Sequence, residues 1–306
     1  MHNNRKKLTL KEASEHPLVR AAVTRALVQY GSDDFFVKPL DQGGQGIVFC
    51  VQNQNGSRSS LKVPSYGTRL QEDYWLLEHG LAKESAILNE LVNCDAVPFL
   101  IKYDQTGLYM FREFVEGIRL SELTIFDDFK LPLLKNLLNT VQKLFMAFHC
   151  SKRGCYVIRD FKPANLIIDP CRLTMKLIDV GSARPETDML SKTSRPYRLG
   201  SGKWLYWAPE QLMEKVDWLN RKADYFAVAA TAFFIIIGKA PYNNLEANPE
   251  KAINSYLLQY REISSLLFSE GQKLKLPDGL ITFLQRCLNP ISQERHSAID
   301  IRGWGY

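Results

Sequence analysis

The order of apolar patterns along the chain constrains its fold more than any other feature of the sequence. Short strand-like runs occupy residues 37 to 115, with one helical segment among them, and after residue 118 apolar residues recur mostly at helical spacing. A chain of 306 residues with 45% hydrophobic composition can bury the core of one globular unit with two subdomains. We therefore predict an α+β fold with a small β-rich lobe followed by a larger, mostly helical lobe.

The same patterns predict the individual elements. Strands are predicted at residues 37–42, 47–53, 59–63, 99–105 and 107–115. Helices are predicted at residues 18–30, 71–93, 131–150, 221–237, 253–268 and 280–288. Gly31 ends the first helix, which we expect to pack on the main domain, and Gly80 is expected to interrupt the second.

Charge and composition argue against several classes of protein. The net charge of +6 is mild, and its basic clusters, typical of solvated surface, lack the interleaved aromatic residues of a nucleic-acid interface, so we expect no nucleic-acid partner. No apolar run reaches the roughly 18 to 20 residues that span a bilayer, and the N-terminus lacks a secretory signal. The six cysteines form no CxxC pair, which indicates a reduced, cytoplasmic protein.

A glycine-rich stretch, LDQGGQGIVFCV, separates the first two predicted strands. Gly43, Gly44 and Gly46 allow a tight hairpin whose backbone N–H groups can approach phosphate oxygens closely. A plain glycine-rich hairpin without a ligand fits this stretch equally well.

A lysine stands in the third predicted strand, SSLKV, where its neighbours are apolar. Burying an unpaired ammonium group is costly, so Lys62 needs an anionic partner. Glu84 is the candidate, because with Leu88 and Leu91 it follows helical i, i+4, i+7 spacing and borders the apolar face. The alternative is that Lys62 extends its ammonium group to solvent.

The stretch YVIRDFKPANLIID, residues 156–169, groups residues that phosphate chemistry can use. Asp160 can accept a proton from a hydroxyl group, Lys162 can neutralise phosphoryl charge, and Asn165 can bind a divalent cation through its amide oxygen. Asp179, at the end of the strand-like run in KLIDVG, offers the carboxylate that Mg²⁺ prefers. Either aspartate alone is more often a turn or cap residue.

Together these motifs resemble the catalytic domain of eukaryotic-type protein kinases over about residues 37 to 301. LDQGGQGIV is similar to the glycine-rich loop, IRDFKPAN to the catalytic loop, DVG to the DFG element and WAPE to the APE motif. Asp224 matches the family's buried aspartate, and Arg295 matches the arginine that pairs with the APE glutamate, here Glu210.

The resemblance implies a bilobal fold and a division of the chain. Residues 1–36 form an N-terminal extension with a short amphipathic helix, and residues 37–306 form the kinase domain. Within that domain the N-lobe covers about residues 37–112, the hinge about 113–117 and the C-lobe about 118–306.

The resemblance also implies roles for individual residues. Lys62 and Glu84 position ATP, Asp160 is the catalytic base, and Lys162 faces the transferred phosphate. The implied ligands of Mg²⁺, or of Mn²⁺ in its place, are Asn165 and Asp179. The implied ATP-binding residues are Gly43, Gly44, Gly46, Val48, Lys62 and the backbone of Glu113 to Val115.

The implied activity is transfer of the γ-phosphate of ATP to protein hydroxyl groups. Lys162 followed by Pro163 is similar to serine/threonine kinases, so serine and threonine are the expected acceptors. Two alternatives stay open: a pseudokinase that acts as a scaffold or allosteric regulator, and a kinase-fold enzyme that phosphorylates a small molecule. Two roles stay open for the N-terminal helix: to bind a regulatory partner, or to complete the fold.

Several positions depart from the family pattern. Asp41 replaces the first loop glycine, which predicts weaker ATP binding, while Ile158 and Val180 replace a histidine and a phenylalanine that pack together. Arg112 aligns with the gatekeeper position, where a buried arginine needs a carboxylate partner. Either such a partner exists or the alignment is shifted by one residue. Lys203 replaces a threonine, and its side chain either faces an acidic substrate or points to solvent.

The segment between DVG and WAPE combines hydroxyl and basic residues. Because Arg159 can bind a phosphate in this family, we expect regulation by phosphorylation in this segment. The same positive charge could instead bind an acidic partner. The candidate acceptors are Ser191, Thr193, Ser194, Tyr197 and Ser201, among Arg184, Lys192, Arg195 and Arg198.

Overall fold

The computed structural model describes residues 9–30, 35–42, 46–64, 74–149, 155–186, 203–212, 220–242 and 249–296. The chain divides into two compact units, Met1–Val115 and Glu116–Tyr306.

The first unit is built on an antiparallel five-stranded sheet with the strand order β1-β2-β3-β5-β4. Its helices are α1 (Leu10–Ser14), α2 (Pro17–Tyr30) and α3 (Tyr74–Glu90). Its strands are β1 (Phe35–Gln42), β2 (Ile47–Asn53), β3 (Arg58–Val63), β4 (Leu100–Tyr103) and β5 (Met110–Glu113). The predicted strands are therefore confirmed, with ends that differ by a few residues.

Successive side chains of each strand point to opposite sides of the sheet, so the sheet has two different faces. One face is apolar and packs against α1 and α2, which confirms that the helix predicted at residues 18–30 packs on the main domain. This buried cluster contains Ala13, Val19, Ala22, Ala26, Ile47, Phe49, Val51, Leu61, Val63, Tyr109 and Phe111. The opposite face carries Val48 and Lys62, which lie opposite each other on β2 and β3.

Polar contacts and a ring stack also hold α2 on the sheet. Lys102 Nζ donates to the backbone oxygen of Gln29 at 2.6 Å, and the Tyr109 hydroxyl donates to the Gln29 side chain. The rings of Tyr30 and Phe111 stack with centroids 4.4 Å apart. The two N-terminal helices are thus a layer of the first unit.

Helix α3 runs without a break through Gly80, so the predicted interruption is wrong. A glycine inside a helix costs only about 1 kcal/mol relative to alanine. Tertiary packing compensates for this cost, because Leu81 and Leu88 are buried in the same helix.

The second unit is mainly helical. Its helices are α4 (Asp127–His149), α5 (Pro209–Leu212), α6 (Arg221–Ile237), α7 (Pro249–Lys273) and α8 (Asp278–Cys287). Its strands are β6 (Ile118–Arg119), β7 (Tyr156–Val157), β8 (Leu166–Asp169), β9 (Thr174–Leu177) and β10 (Arg184–Pro185). The strands form two small sheets, β6-β8-β9 and β7-β10.

Helix α6 is the centre of this unit, with α4, α7 and α8 packed around it. Almost all of its residues are buried, which confirms the predicted core helix, because a helix that is apolar on all sides belongs in an interior. Asn220 caps its start by accepting from Lys222 N, and Gly238 ends it in the left-handed conformation at φ 87°.

Two negative findings apply to the described part of the chain. None of its helices combines the length and apolar character needed to cross a membrane. Its cysteines, Cys50, Cys94, Cys155, Cys171 and Cys287, form no disulfide.

Candidate active site

The first unit contains a buried ion pair between β3 and α3. Lys62 Nζ lies 2.5 Å from Glu84 Oε2, and the two side chains are 4% and 0% exposed. The pairing suggested by the sequence is therefore present, and extension of Lys62 to solvent is not observed. Glu84 supplies the anion that makes burial of the ammonium group tolerable.

Arg112, on β5, provides a second cation for the same carboxylate. Its Nη1 lies 2.8 Å from Glu84 Oε1, and its side chain is 6% exposed. Arg112 lies opposite Ser60, two residues before Lys62 on β3, so both cations leave the same face of the sheet. Of the two alternatives stated for Arg112, the structure supports the buried arginine with a carboxylate partner.

The β1–β2 hairpin is antiparallel, as expected for the glycine-rich stretch. A Cβ atom at Gly46 would lie 2.4 Å from the backbone oxygen of Val63, so a side chain there would force β3 to move. Val48 is half-buried on the Lys62 face. Gly43 and Gly44 lie outside the described residues, and the Asp41 carboxylate accepts from Gln42 N at 2.8 Å.

The predicted adenine-binding backbone lies at the end of β5. Glu113 is the last residue of the strand, and its N–H donates to the Phe99 oxygen at 2.9 Å. Val115 is half-buried and is the last residue of the first unit. Contact of Glu113 to Val115 with adenine stays a prediction.

In the second unit, the loop between β7 and β8 brings three of the candidate side chains together. Lys162 Nζ lies 2.7 Å from each carboxylate oxygen of Asp160. Asn165 Nδ2 donates to the backbone oxygen of Asp160 at 2.8 Å and to its Oδ2 at 3.1 Å. A short 3₁₀ turn at Pro163–Asn165 sets this spacing. Lys162 and Asn165 thus orient the Asp160 carboxylate, and Lys162 places a positive charge beside it.

The backbone of this loop adopts a conformation that needs external support. Arg159 has φ 71°, which costs on the order of 1–3 kcal/mol for a residue with a side chain. The N–H groups of Ile158 and Arg159 donate to Asp224 on α6 at 2.7 and 2.9 Å. Gln211 Nε2 donates to the Arg159 oxygen at 3.0 Å, a contact that the sequence did not suggest.

Asp224 is almost completely buried. Burial raises its pKa to about 7, against the opposing effect of the hydrogen bonds from Arg159 and Ile158, which lower it. Asp224 therefore holds the β7–β8 loop with an acid group whose charged form is disfavoured by its surroundings.

Asp179 follows β9, and its segment is connected to the loop. The N–H of Ile178 donates to the Asn165 oxygen at 2.8 Å, and Asp179 Oδ1 accepts from Gly181 N at 3.0 Å. Because the Asn165 amide nitrogen donates to Asp160, its amide oxygen is the atom left to bind a cation. One carboxylate and one amide oxygen fit Mg²⁺, which is commonly held by few protein ligands together with phosphate oxygens.

A second buried ion pair fixes the WAPE segment. Arg295 Nη1 and Nη2 lie 2.7 and 2.9 Å from the two carboxylate oxygens of Glu210. The remaining bonds of the guanidinium reach the backbone oxygens of Asn289, Pro290 and Lys222 at 2.6, 3.1 and 3.2 Å. The pairing implied by the resemblance is thus present, with every guanidinium nitrogen donating.

The structure describes only some of the other positions that depart from the family pattern. Ile158 and Val180 are both buried, as aliphatic substitutes in an apolar stack should be. Lys203 begins a 3₁₀ turn, but its side chain lies outside the described part of the chain. The candidate phosphorylation sites from Ser191 to Ser201 also lie outside it.

Comparison with known proteins assigns the chain to a family. The profile of the protein kinase domain matches residues 36–304. Relatives include the yeast (Saccharomyces cerevisiae) serine/threonine-protein kinase BCK1/SLK1/SSP31, 27% identical over 68% of this chain, and serine/threonine-protein kinase PknF of Mycobacterium tuberculosis, 39% identical over 32%. Serine/threonine-protein kinase B of Synechocystis is 28% identical over 52%.

These matches span 14%, 20% and 28% of the length of the three relatives, in that order. The identities are modest, but the family profile covers nearly the whole chain and coincides with the ion pairs and the loop geometry. The chain therefore belongs to the protein kinase family.

Proposed function

We propose that this chain is an active kinase that transfers the γ-phosphate of ATP to serine or threonine hydroxyl groups of proteins. The observation that carries the proposal is the cluster of Asp160, Lys162 and Asn165 on one supported loop. The named relatives are serine/threonine kinases, which supports this choice of acceptor.

In the proposed reaction the hydroxyl oxygen of the substrate forms a bond to the γ-phosphorus. The bond between that phosphorus and the bridging oxygen of ADP breaks, and the hydroxyl proton passes to the Asp160 carboxylate. Lys162, 2.7 Å from that carboxylate, orients it before transfer and neutralises phosphoryl charge during transfer.

The remaining candidate residues bind and position ATP and the metal. Lys62 binds phosphate oxygens while Glu84 holds its ammonium group, and the glycine-rich hairpin covers the phosphates. Asn165 and Asp179 hold Mg²⁺ or Mn²⁺, which when bound neutralises phosphate charge. The proposed adenine and phosphate contacts are Gly43, Gly44, Gly46, Val48 and the backbone of Glu113 to Val115.

Two further parts of the proposal concern regulation and location. Phosphorylation among Ser191, Thr193, Ser194, Tyr197 and Ser201 regulates the enzyme through Arg159. The protein acts in the cytoplasm. A regulatory partner at the N-terminal helices stays a prediction. These parts rest on the resemblance and the residue types of the segment.

One variant separates chemistry from binding. Asp160→Asn keeps the shape of the loop but removes the base, so turnover should fall by about a hundredfold or more while ATP affinity stays near the wild-type value. Calorimetry measures the affinity, and transfer of labelled phosphate measures turnover. Wild-type turnover in Asp160→Asn would show that Asp160 is not the base.

The second candidate function is a pseudokinase scaffold. It is favoured by the departures from the family pattern at Asp41 and Ile158 and by the placement of Arg112 beside Glu84. A pseudokinase predicts measurable nucleotide binding at most, with no transfer in either the wild type or Asp160→Asn.

A further inference from the structure

The carboxylate of Glu84 is shared by cations from two strands. Oε2 binds Lys62 from β3, and Oε1 binds Arg112 from β5, at 2.5 and 2.8 Å. Each oxygen has its own cation, so the two contacts do not compete for the same atom. Helix α3 is therefore attached to the sheet at two places through one side chain.

The position of Arg112 makes its contact with Glu84 well defined. Strand β5 lies between β3 and β4 in the sheet, so hydrogen-bonded neighbours on both sides hold its backbone. The planar guanidinium group is always charged and loses little freedom for each hydrogen bond that it forms. Arg112 is thus a rigid cationic partner, whereas Lys62 carries its charge on a flexible chain.

We propose that Arg112 is a positioning residue that keeps Glu84, and with it α3, fixed on the sheet when Lys62 turns to another anion. The proposal rests on the proposed function only in naming that anion as the phosphate of ATP. When Lys62 weakens its bond to Glu84, a carboxylate without a second cation would be left buried and unpaired, which is costly. Arg112 removes that cost.

Backbone hydrogen exchange of α3 tests the proposal without nucleotide and without catalysis. Residues 81–90 are compared in the wild type, Lys62→Met, Arg112→Met and the double variant. Either single variant leaves Glu84 with one cation, so exchange should stay within about threefold of wild type. The double variant leaves Glu84 unpaired, and exchange should accelerate by roughly tenfold or more.

A conservative variant separates anchoring by charge from simple packing. In the Lys62→Met background, Arg112→Lys restores a cation near Glu84 and should keep exchange within about threefold of Lys62→Met alone. In the same background, Arg112→Met has similar bulk without the charge and should not keep exchange within that range. Equal exchange in the two double variants would assign Arg112 a packing role and overturn the proposal.

Two other results would also overturn it. One is Lys62→Met alone accelerating exchange by about tenfold, which would make Lys62 the sole anchor. The other applies if Lys62→Met/Arg112→Met does not fold: adding Glu84→Gln removes the unpaired charge and should restore folding, so failure to restore would contradict the proposal. A wild-type protein that transfers no phosphate, with the predicted exchange in all the variants, would count against the proposed function alone.

Discussion

Replacing Arg295 by methionine should destabilise the second unit far more than replacing its partner Glu210 by glutamine. The reason is that the two side chains have different numbers of partners. Glu210 bonds Arg295 through both carboxylate oxygens, but Arg295 also donates to the backbone oxygens of Asn289, Pro290 and Lys222.

The magnitude follows from what each substitution leaves buried. Arg295→Met leaves the Glu210 carboxylate unpaired, which costs about 3–5 kcal/mol, and also removes the donor of three backbone oxygens. Glu210→Gln leaves the guanidinium bonded to those oxygens and 4.9 Å from the centre of the Phe226 ring. We therefore expect Glu210→Gln to lose less than about half of the stability that Arg295→Met loses.

Thermal and urea unfolding measure the difference. A loss of about 4 kcal/mol should lower the melting temperature by roughly 8 °C in a protein of this size. Arg261→Met is the matched control, because Arg261 is exposed on α7 and its loss should change stability by less than about 0.5 kcal/mol. Equal losses for Arg295→Met and Glu210→Gln, or a loss below about 1 kcal/mol for Arg295→Met, would refute the reasoning.

Two more predictions concern buried groups. Because the pKa of Asp224 is raised to about 7 in the folded state, the folded protein binds more protons than the unfolded one between pH 3.8 and about 7. As pH rises through this window, the unfolding free energy of the wild type should therefore fall relative to that of Asp224→Asn, by roughly 1 kcal/mol per pH unit. A rise in the unfolding free energy of the wild type relative to the variant would contradict the raised pKa. Ala26→Asp places a carboxylate between α2 and the sheet and should lower stability by several kcal/mol, as measured by urea unfolding. Val28→Asp on the same helix, at a position 68% exposed, should change stability by less than about 0.5 kcal/mol, and equal effects would show that α2 is not part of the core.

Much of the fold could be predicted from the sequence because apolar spacing reports burial directly. The strands of the first unit and the all-apolar helix α6 follow from that signal. Helix α1 was not predicted because its five residues are too few to show a period, although Thr9 and Glu12 form a capping box that marks its start. The break expected at Gly80 does not occur, since packing outweighs a weak local preference.

The site was predictable where a residue type conflicts with its surroundings. A lysine in an apolar strand requires an anion, and this indicated the pair of Lys62 with Glu84. That Arg112 shares the same glutamate could not be predicted, because it depends on the register of β3 against β5. The contact of Gln211 with the Arg159 oxygen likewise depends on the tertiary placement of α5.

The central claim is most directly tested by following labelled γ-phosphate from ATP with Mg²⁺, to the chain itself and to a generic protein substrate, beside Asp160→Asn. The account predicts phosphoserine or phosphothreonine with the wild type and almost none with the variant. No label with any acceptor in Mg²⁺ or Mn²⁺, from protein that binds ATP, would contradict it and favour the pseudokinase.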